Sequence, residues 1–195
     1  MISLPAIFGV SSAVLNTAGL VPYIRDIFLG KTKPERATWW IWLVLNVIAF
    51  SAQVAAGSTW SLFMTGAQTV AVGFIAFLSL NHGYGKFKKK DIVSLIIALF
   101  GVLLWKFTEQ PVAALLLVIL VDMLGYYLLI IKTWEAPQTE TLIAWVLASI
   151  AGFCGVLSVW SLNIPRLIYP IYILIGDVLI VSVIVYRRKV IESKK

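Results

Sequence analysis

The chain of 195 residues holds one cysteine, one histidine and nine carboxylates, and it is poor in every group that catalysis or metal binding draws on. Cys154 has no partner within the chain, which excludes an internal disulfide and a cysteine-based metal site. His82 stands among Gly and Lys, far in sequence from any acid, so no His–carboxylate metal set is expected. No nucleophile–base pair, phosphate loop or zinc spacing is present, and this pattern points away from an enzyme and from any cofactor. The N-terminus lacks the basic region and small-residue cleavage site of a signal peptide, so the first helix is expected to be retained. A retinal-binding helix bundle is excluded as well, because Leu167–Tyr186 contains no lysine for a Schiff base.

What the chain has in excess is apolar surface. Hydrophobic residues make up 61% of it, and the mean hydropathy is +0.95. A soluble domain of this size is about half apolar and does not repeat runs of about 20 apolar residues, the span of a bilayer helix. Seven such runs are read here, at Leu4–Phe28, Thr38–Ala56, Thr59–Leu80, Asp91–Phe107, Val112–Thr133, Thr139–Trp160 and Leu167–Tyr186. Turn residues separate them: Gly30 and Pro34, Gly57 and Ser58, Gly83 and Gly85, Pro111, Pro137, and Pro165. The expected class is an all-α polytopic membrane protein whose first partner is the lipid bilayer.

The basic residues orient the bundle. Fourteen of the 16 Lys and Arg fall at span ends facing one side, and only Lys106 and Arg166 face the other. By the positive-inside rule the C-terminus is cytoplasmic and the N-terminus lies outside, in a plasma or inner membrane. A net charge of +7 is thereby explained by topology and contact with anionic lipid, and nucleic acid is not an expected partner.

An internal repeat fits the odd helix count. At an offset of 103 residues "KPERATWWIW" falls on "APQTETLIAW", and Tyr23, Ile27, Pro34, Thr38, Trp42 and Phe50 meet identical residues at Tyr126, Ile130, Pro137, Thr141, Trp145 and Phe153. Intervals of four and eight residues keep one face of an α-helix, the face two like-packed copies would share. The offset pairs helices 1, 2 and 3 with helices 5, 6 and 7 and leaves helix 4 over. Three helices per copy would invert the second copy, and the spare helix restores a parallel arrangement. The expected domains are residues 1–84 for the first three-helix repeat, 85–110 for the linker helix, and 111–195 for the second repeat with its basic tail.

This 3+1+3 plan, with "GLVPYIRDIFLGKTKPERATWW" at the end of helix 1, resembles the SWEET and PQ-loop superfamily. That superfamily includes the sugar-transporting SWEETs, cystinosin-like carriers and the KDEL receptor, and vitamin carriers of the PnuC type share the plan. Here Pro22 is followed by Tyr23 rather than Gln, and Gly125 stands where the second copy would repeat the proline. The resemblance implies that Pro22 and Gly125 are the hinge positions of alternating access. It also implies that Gln68 and Asp177, at comparable depth in helices 3 and 7, take the place of the asparagines with which SWEETs face their substrate.

Polar residues inside the spans are the remaining site candidates. They are Asn16 in helix 1, Asn46 and Gln53 in helix 2, Gln68 in helix 3, Asp122 in helix 5 and Asp177 in helix 7. Asp122 lies about three helical turns from either end of its span, too deep to snorkel easily, and an intramembrane acid is a functional candidate by default. The competing reading for all of them is interhelical hydrogen bonding without a ligand. Asn46 meets Ser149 at the repeat offset, as a potential symmetric pair. Trp42 and Trp145, deep and symmetric, suit either stacking on a sugar ring or core packing, whereas the other tryptophans fall mostly near span ends, as an interfacial belt does. Arg25 and Asp26 close helix 1 and Glu140 opens helix 6, where they form either a gate latch or ordinary local pairs.

Three functions fit this pattern: a small-solute carrier for a sugar-like metabolite, a ligand-binding receptor without transport, and an accessory subunit without a pocket. By resemblance to cystinosin-like carriers, which use acids in these helices, the first is expected to be proton-coupled in some members. A homo-oligomer is compatible with each.

Overall fold

The structure is a computed structural model that describes residues 3–55, 60–86, 88–107, 111–160, 162 and 164–194. The expected turn at Gly57 and Ser58 and the side chains of Gln53, Trp60, Trp105 and Lys106 lie outside the described residues.

The apolar runs form seven α-helices: α1 Leu4–Phe28, α2 Arg36–Ala55, α3 Trp60–His82, α4 Lys89–Lys106, α5 Pro111–Glu135, α6 Leu142–Ser158 and α7 Ile164–Glu192. Local chemistry sets several of their ends. At the start of α2 the Glu35 carboxylate accepts the Thr38 N–H at 2.7 Å, satisfying a donor that the helix itself cannot. At the start of α4 Asp91 reaches back to the Lys88 N–H at 2.7 Å, the acidic half of a capping box. Gly30 follows α1 at a φ of +68°, which a glycine adopts without a steric penalty.

Most helix ends fall within two residues of the sequence reading, and the larger differences are in α6 and α7. Helix 6 does not begin at Thr139: Pro137–Thr139 is a short 3-10 turn, and Glu140 is extended before α6 starts at Leu142. The Thr139 N–H and hydroxyl both bond the Ala136 carbonyl, which closes the turn on itself. Helix α7 runs past Tyr186 to Glu192, because the polar and basic residues after the apolar run are good helix formers in their own right.

By length and composition Leu4–Phe28, Leu115–Glu135 and Arg166–Glu192 are each able to cross a membrane, and Arg36–Ser51, Asp91–Phe100 and Leu142–Ser158 are shorter apolar helices. Large apolar side chains on these helices face outward. Val10, Val70, Phe77, Phe100, Leu120 and Ile175 are each more than half exposed, a distribution suited to lipid rather than water.

The chain forms two compact units, one comprising residues 1–32 and 133–195 and the other residues 33–132. In the first unit α6 packs against both α1 and α7. In the second, α2 packs against α3 and α4, and Ala37, Ile41, Ala98, Val121 and Leu128 form a buried cluster drawn from α2, α4 and α5. This grouping cuts across residues 1–84, 85–110 and 111–195. Each unit joins the first helix of one sequence repeat to the second and third helices of the other, and α4 belongs with α2, α3 and α5.

Candidate functional site

In the first unit, a polar network sits where α1 ends, α6 begins and α7 leaves its apolar stretch. Glu140 is 3% exposed, and its carboxylate accepts the Trp145 indole N–H at 2.8 Å and the Tyr23 hydroxyl at 3.5 Å. The Tyr23 and Trp145 rings meet edge to face with centroids 6.2 Å apart. Beside them the Thr141 hydroxyl donates to Asp26 Oδ2 at 3.0 Å, so the 2.5 Å contact between Thr32 and Thr141 has Thr32 as the donor. From α7, Arg188 donates to the carbonyls of Pro137 at 3.1 Å and Glu140 at 2.6 Å. A single arginine therefore holds the turn that precedes α6. Arg187 bonds the Trp134 carbonyl and lies over that indole, 4.7 Å from the ring centroid.

The second unit repeats part of this construction. Tyr126 and Trp42 meet edge to face with centroids 5.4 Å apart, and they are the repeat equivalents of Tyr23 and Trp145. The Thr38 hydroxyl, equivalent to that of Thr141, donates to the Gly125 carbonyl at 2.9 Å. Arg36 donates to the carbonyls of Gly83, Tyr84 and Gly85, and the Tyr84 N–H bonds the Pro34 carbonyl, so the turn after α3 is fixed to the start of α2. Lys132 is buried near the end of α5 with its ammonium 5.8 Å from the Tyr84 ring centroid. Within each unit, therefore, the helix ends that carry the basic residues lie together.

Gly125 has a steric role in this packing. A Cβ there would sit 2.8 Å from Trp42 Nε1 and 3.3 Å from two of its ring carbons. Gly125→Ala is therefore expected to displace the indole and lower stability by about 1–3 kcal/mol. Thermal unfolding of the purified variant measures this, and an unchanged melting temperature means that the ring yields freely.

The other candidates are placed as follows. Asp122 in α5 and Asp177 in α7 are both buried, at 4% and 3% exposure, one in each unit. Asn46 Nδ2 donates to the Trp42 carbonyl at 2.9 Å, and the Ser149 hydroxyl donates to the Trp145 carbonyl at 2.9 Å. Each thus bonds back to the equivalent tryptophan of its own helix. Asn16, Pro22 and Gln68 are half-buried, and Arg25 is exposed. Asp26 accepts from Thr141, the residue next to Glu140, so the two acids lie at neighbouring points of the α1–α6 contact. Among the described residues no group of three or more His, Cys, Asp or Glu is positioned to hold a metal ion.

Sequence reasoning missed Arg188, Thr32, Glu35, Arg36 and Lys132 as structural anchors. The bases among them read as membrane-edge charges, and the burial of Lys132 carries no local signal. Tyr23 and Tyr126 were visible as repeat identities, which marked them as equivalent positions but not which tryptophan each would meet.

No family model, curated protein or solved structure matches the chain. The likeness to the 3+1+3 plan rests on the repeat and on the residues quoted from helix 1.

Proposed function

We propose that the chain is a membrane carrier that moves a small polar, sugar-like metabolite by alternating access. In this reading all seven helices span a plasma or inner membrane with the N-terminus outside, in the 3+1+3 plan of the SWEET and PQ-loop superfamily. The observation that carries it is that each of the two units holds an acid buried within an apolar stretch of helix, Asp122 in α5 and Asp177 in α7. Alternating access in parallel-repeat carriers is largely rigid-body movement of one bundle against another, and here two compact bodies are available, each joining helices of both sequence repeats. An acid within a membrane-spanning stretch faces the bundle interior and is a functional candidate by default.

In this reading the solute-binding candidates are Asp122 with Asn46, Gln68 and Trp42 in one unit, and Asp177 with Asn16 and Trp145 in the other. Pro22 and Gly125 are the hinge positions. Pro22 removes one backbone hydrogen bond inside α1. The same acids serve proton coupling if the carrier is driven. Asp26 and Glu140 belong to the network that would have to yield or stay whole at the basic end.

The test is a thermal-shift screen of the purified protein against sugars, amino acids and vitamins at two pH values, followed by uptake of any hit into proteoliposomes. One compound class is expected to stabilise the wild type. Asp122→Asn is expected to lose that stabilisation and to reduce uptake by roughly tenfold or more, the value of one charge-assisted hydrogen bond of about 1.5–3 kcal/mol. Stabilisation without uptake supports the receptor reading instead. An absence of hits, with a variant that is merely less stable, makes Asp122 a structural acid and favours an accessory subunit.

A further inference from the structure

We propose that the second unit carries a binding site for one anionic membrane lipid, its acyl chain in a groove between α2, α3, α4 and α5 and its headgroup on the lysines before α4. This rests on the chain lying in a membrane and does not depend on the carrier reading.

The groove has a volume of about 370 Å³ and is lined by Trp40, Ile41, Val44, Leu80, Leu95, Ala98, Leu99 and Val121. Among the described lining residues the Trp40 indole is the only side chain with a polar atom, so a polar metabolite would find few partners there, while a hydrocarbon chain loses nothing. Val44, Leu80 and Leu99 are nearly half exposed or more, so the groove opens sideways rather than forming a closed core cavity.

Its position in the unit selects a lipid. Trp40 lies four residues from the start of α2, Leu80 two residues from the end of α3, and Leu95 six residues from the start of α4. The first two of these ends are joined by Arg36 and the turn at Tyr84, over whose ring Lys132 of α5 lies. From this mouth the lining reaches inward to Leu99, which lies about 15 Å along α4 from Lys89 at 1.5 Å per residue. That depth is half of a hydrocarbon core of about 30 Å, the reach of one leaflet's acyl chain.

Charge then selects an anionic headgroup. Lys86, Lys88 and Lys89 are exposed beside the mouth, and Lys90 adjoins them in sequence. A negative phosphodiester complements that cluster. A second copy of this chain laid against the groove in the same orientation would bring its own lysine cluster to the same level, where like charges repel.

Native mass spectrometry of the full chain in detergent tests this, using phosphatidylglycerol and phosphatidylcholine with identical acyl chains and glycerol phosphate as a chain-free probe. Phosphatidylglycerol is expected to be retained in preference, and glycerol phosphate not at all. The triple variant Lys86→Gln, Lys88→Gln, Lys89→Gln is expected to weaken phosphatidylglycerol binding on the order of 100-fold, about fivefold per lysine. Leu99→Trp and, separately, Val44→Trp fill the groove from its exposed rim and are expected to reduce retention at least tenfold with helical content unchanged. Equal retention of the two lipids overturns the proposal. So does a preference that survives the triple variant, or retention that survives both groove-filling variants. Retention of glycerol phosphate alone would reduce the site to a surface anion patch. Loss of a dimer in the tryptophan variants with no change in lipid would assign the groove to a second copy.

Discussion

Glu140→Ala is expected to destabilise the unit built from α1, α6 and α7 by about 3 kcal/mol. The substitution removes the acceptor for two buried donors, the Trp145 indole N–H and the Tyr23 hydroxyl, which are 6% and 1% exposed by residue. A buried donor left without an acceptor costs about 1–3 kcal/mol, more than an ordinary hydrogen bond contributes, because its desolvation is no longer offset. Two elements lose a shared point at once, since Tyr23 belongs to α1 and Trp145 to α6, while the Glu140 carbonyl that Arg188 of α7 holds is retained. Glu140→Gln retains a neutral acceptor and is expected to lose only about 1 kcal/mol. The loss is measured by reversible unfolding in mixed detergent micelles. A double-mutant cycle with Trp145→Phe locates it: the coupling energy should reach a substantial part of the single-variant effect, since contacting residues are not additive. Additive behaviour would mean that Glu140 acts through Arg188 and the turn rather than through the indole.

The Glu140 network shows what the sequence made legible and where it stopped. Helix positions followed from apolar runs punctuated by Gly and Pro, and α1 was read with the ends it has. The repeat offset of 103 matched Tyr23 with Tyr126 and Trp42 with Trp145, and the structure contains both ring pairs. The pairs are crossed, however: Tyr23 meets Trp145 of the later repeat, and Tyr126 meets Trp42 of the earlier one. Nothing local announces such an exchange, because periodicity records which face of a helix is shared and not which helix covers it. The same limit hid Lys132 and Arg188. In sequence both are bases at the end of an apolar run, where snorkelling is the ordinary expectation. Only the tertiary neighbours, Tyr84 for one and two carbonyls before α6 for the other, distinguish an anchor from a solvated charge. Asp122 and Asp177 were legible for the opposite reason. A carboxylate deep in an apolar run stands out whatever packs around it, and both are buried.

Gly152→Val is expected to have the largest effect on the fold, with a loss of 3 kcal/mol or more, at or beyond the upper end of the range of about 1–3 kcal/mol for overpacked cores. A Cβ on Gly152 would lie 3.0 Å from Leu174 Cα and 3.3 Å from its backbone nitrogen and its Cβ. Those atoms belong to the main chain of α7 or sit at its root, and no rotamer change removes them. The only relief is to move α6 away from α7, and that contact is where small residues matter most, since helices in lipid associate through close packing rather than by excluding water. Gly152→Ala should already lower stability by about 1–3 kcal/mol, and the two extra methyl groups of valine should carry the cost further. Ile150 lies on the same helix and is 45% exposed, so Ile150→Val serves as the control, with an expected change within about 0.5 kcal/mol. Thermal unfolding of the three variants in detergent checks the order. If Gly152→Val melts with the control, α6 and α7 are not in backbone contact, and the first unit cannot move as the rigid body that alternating access requires.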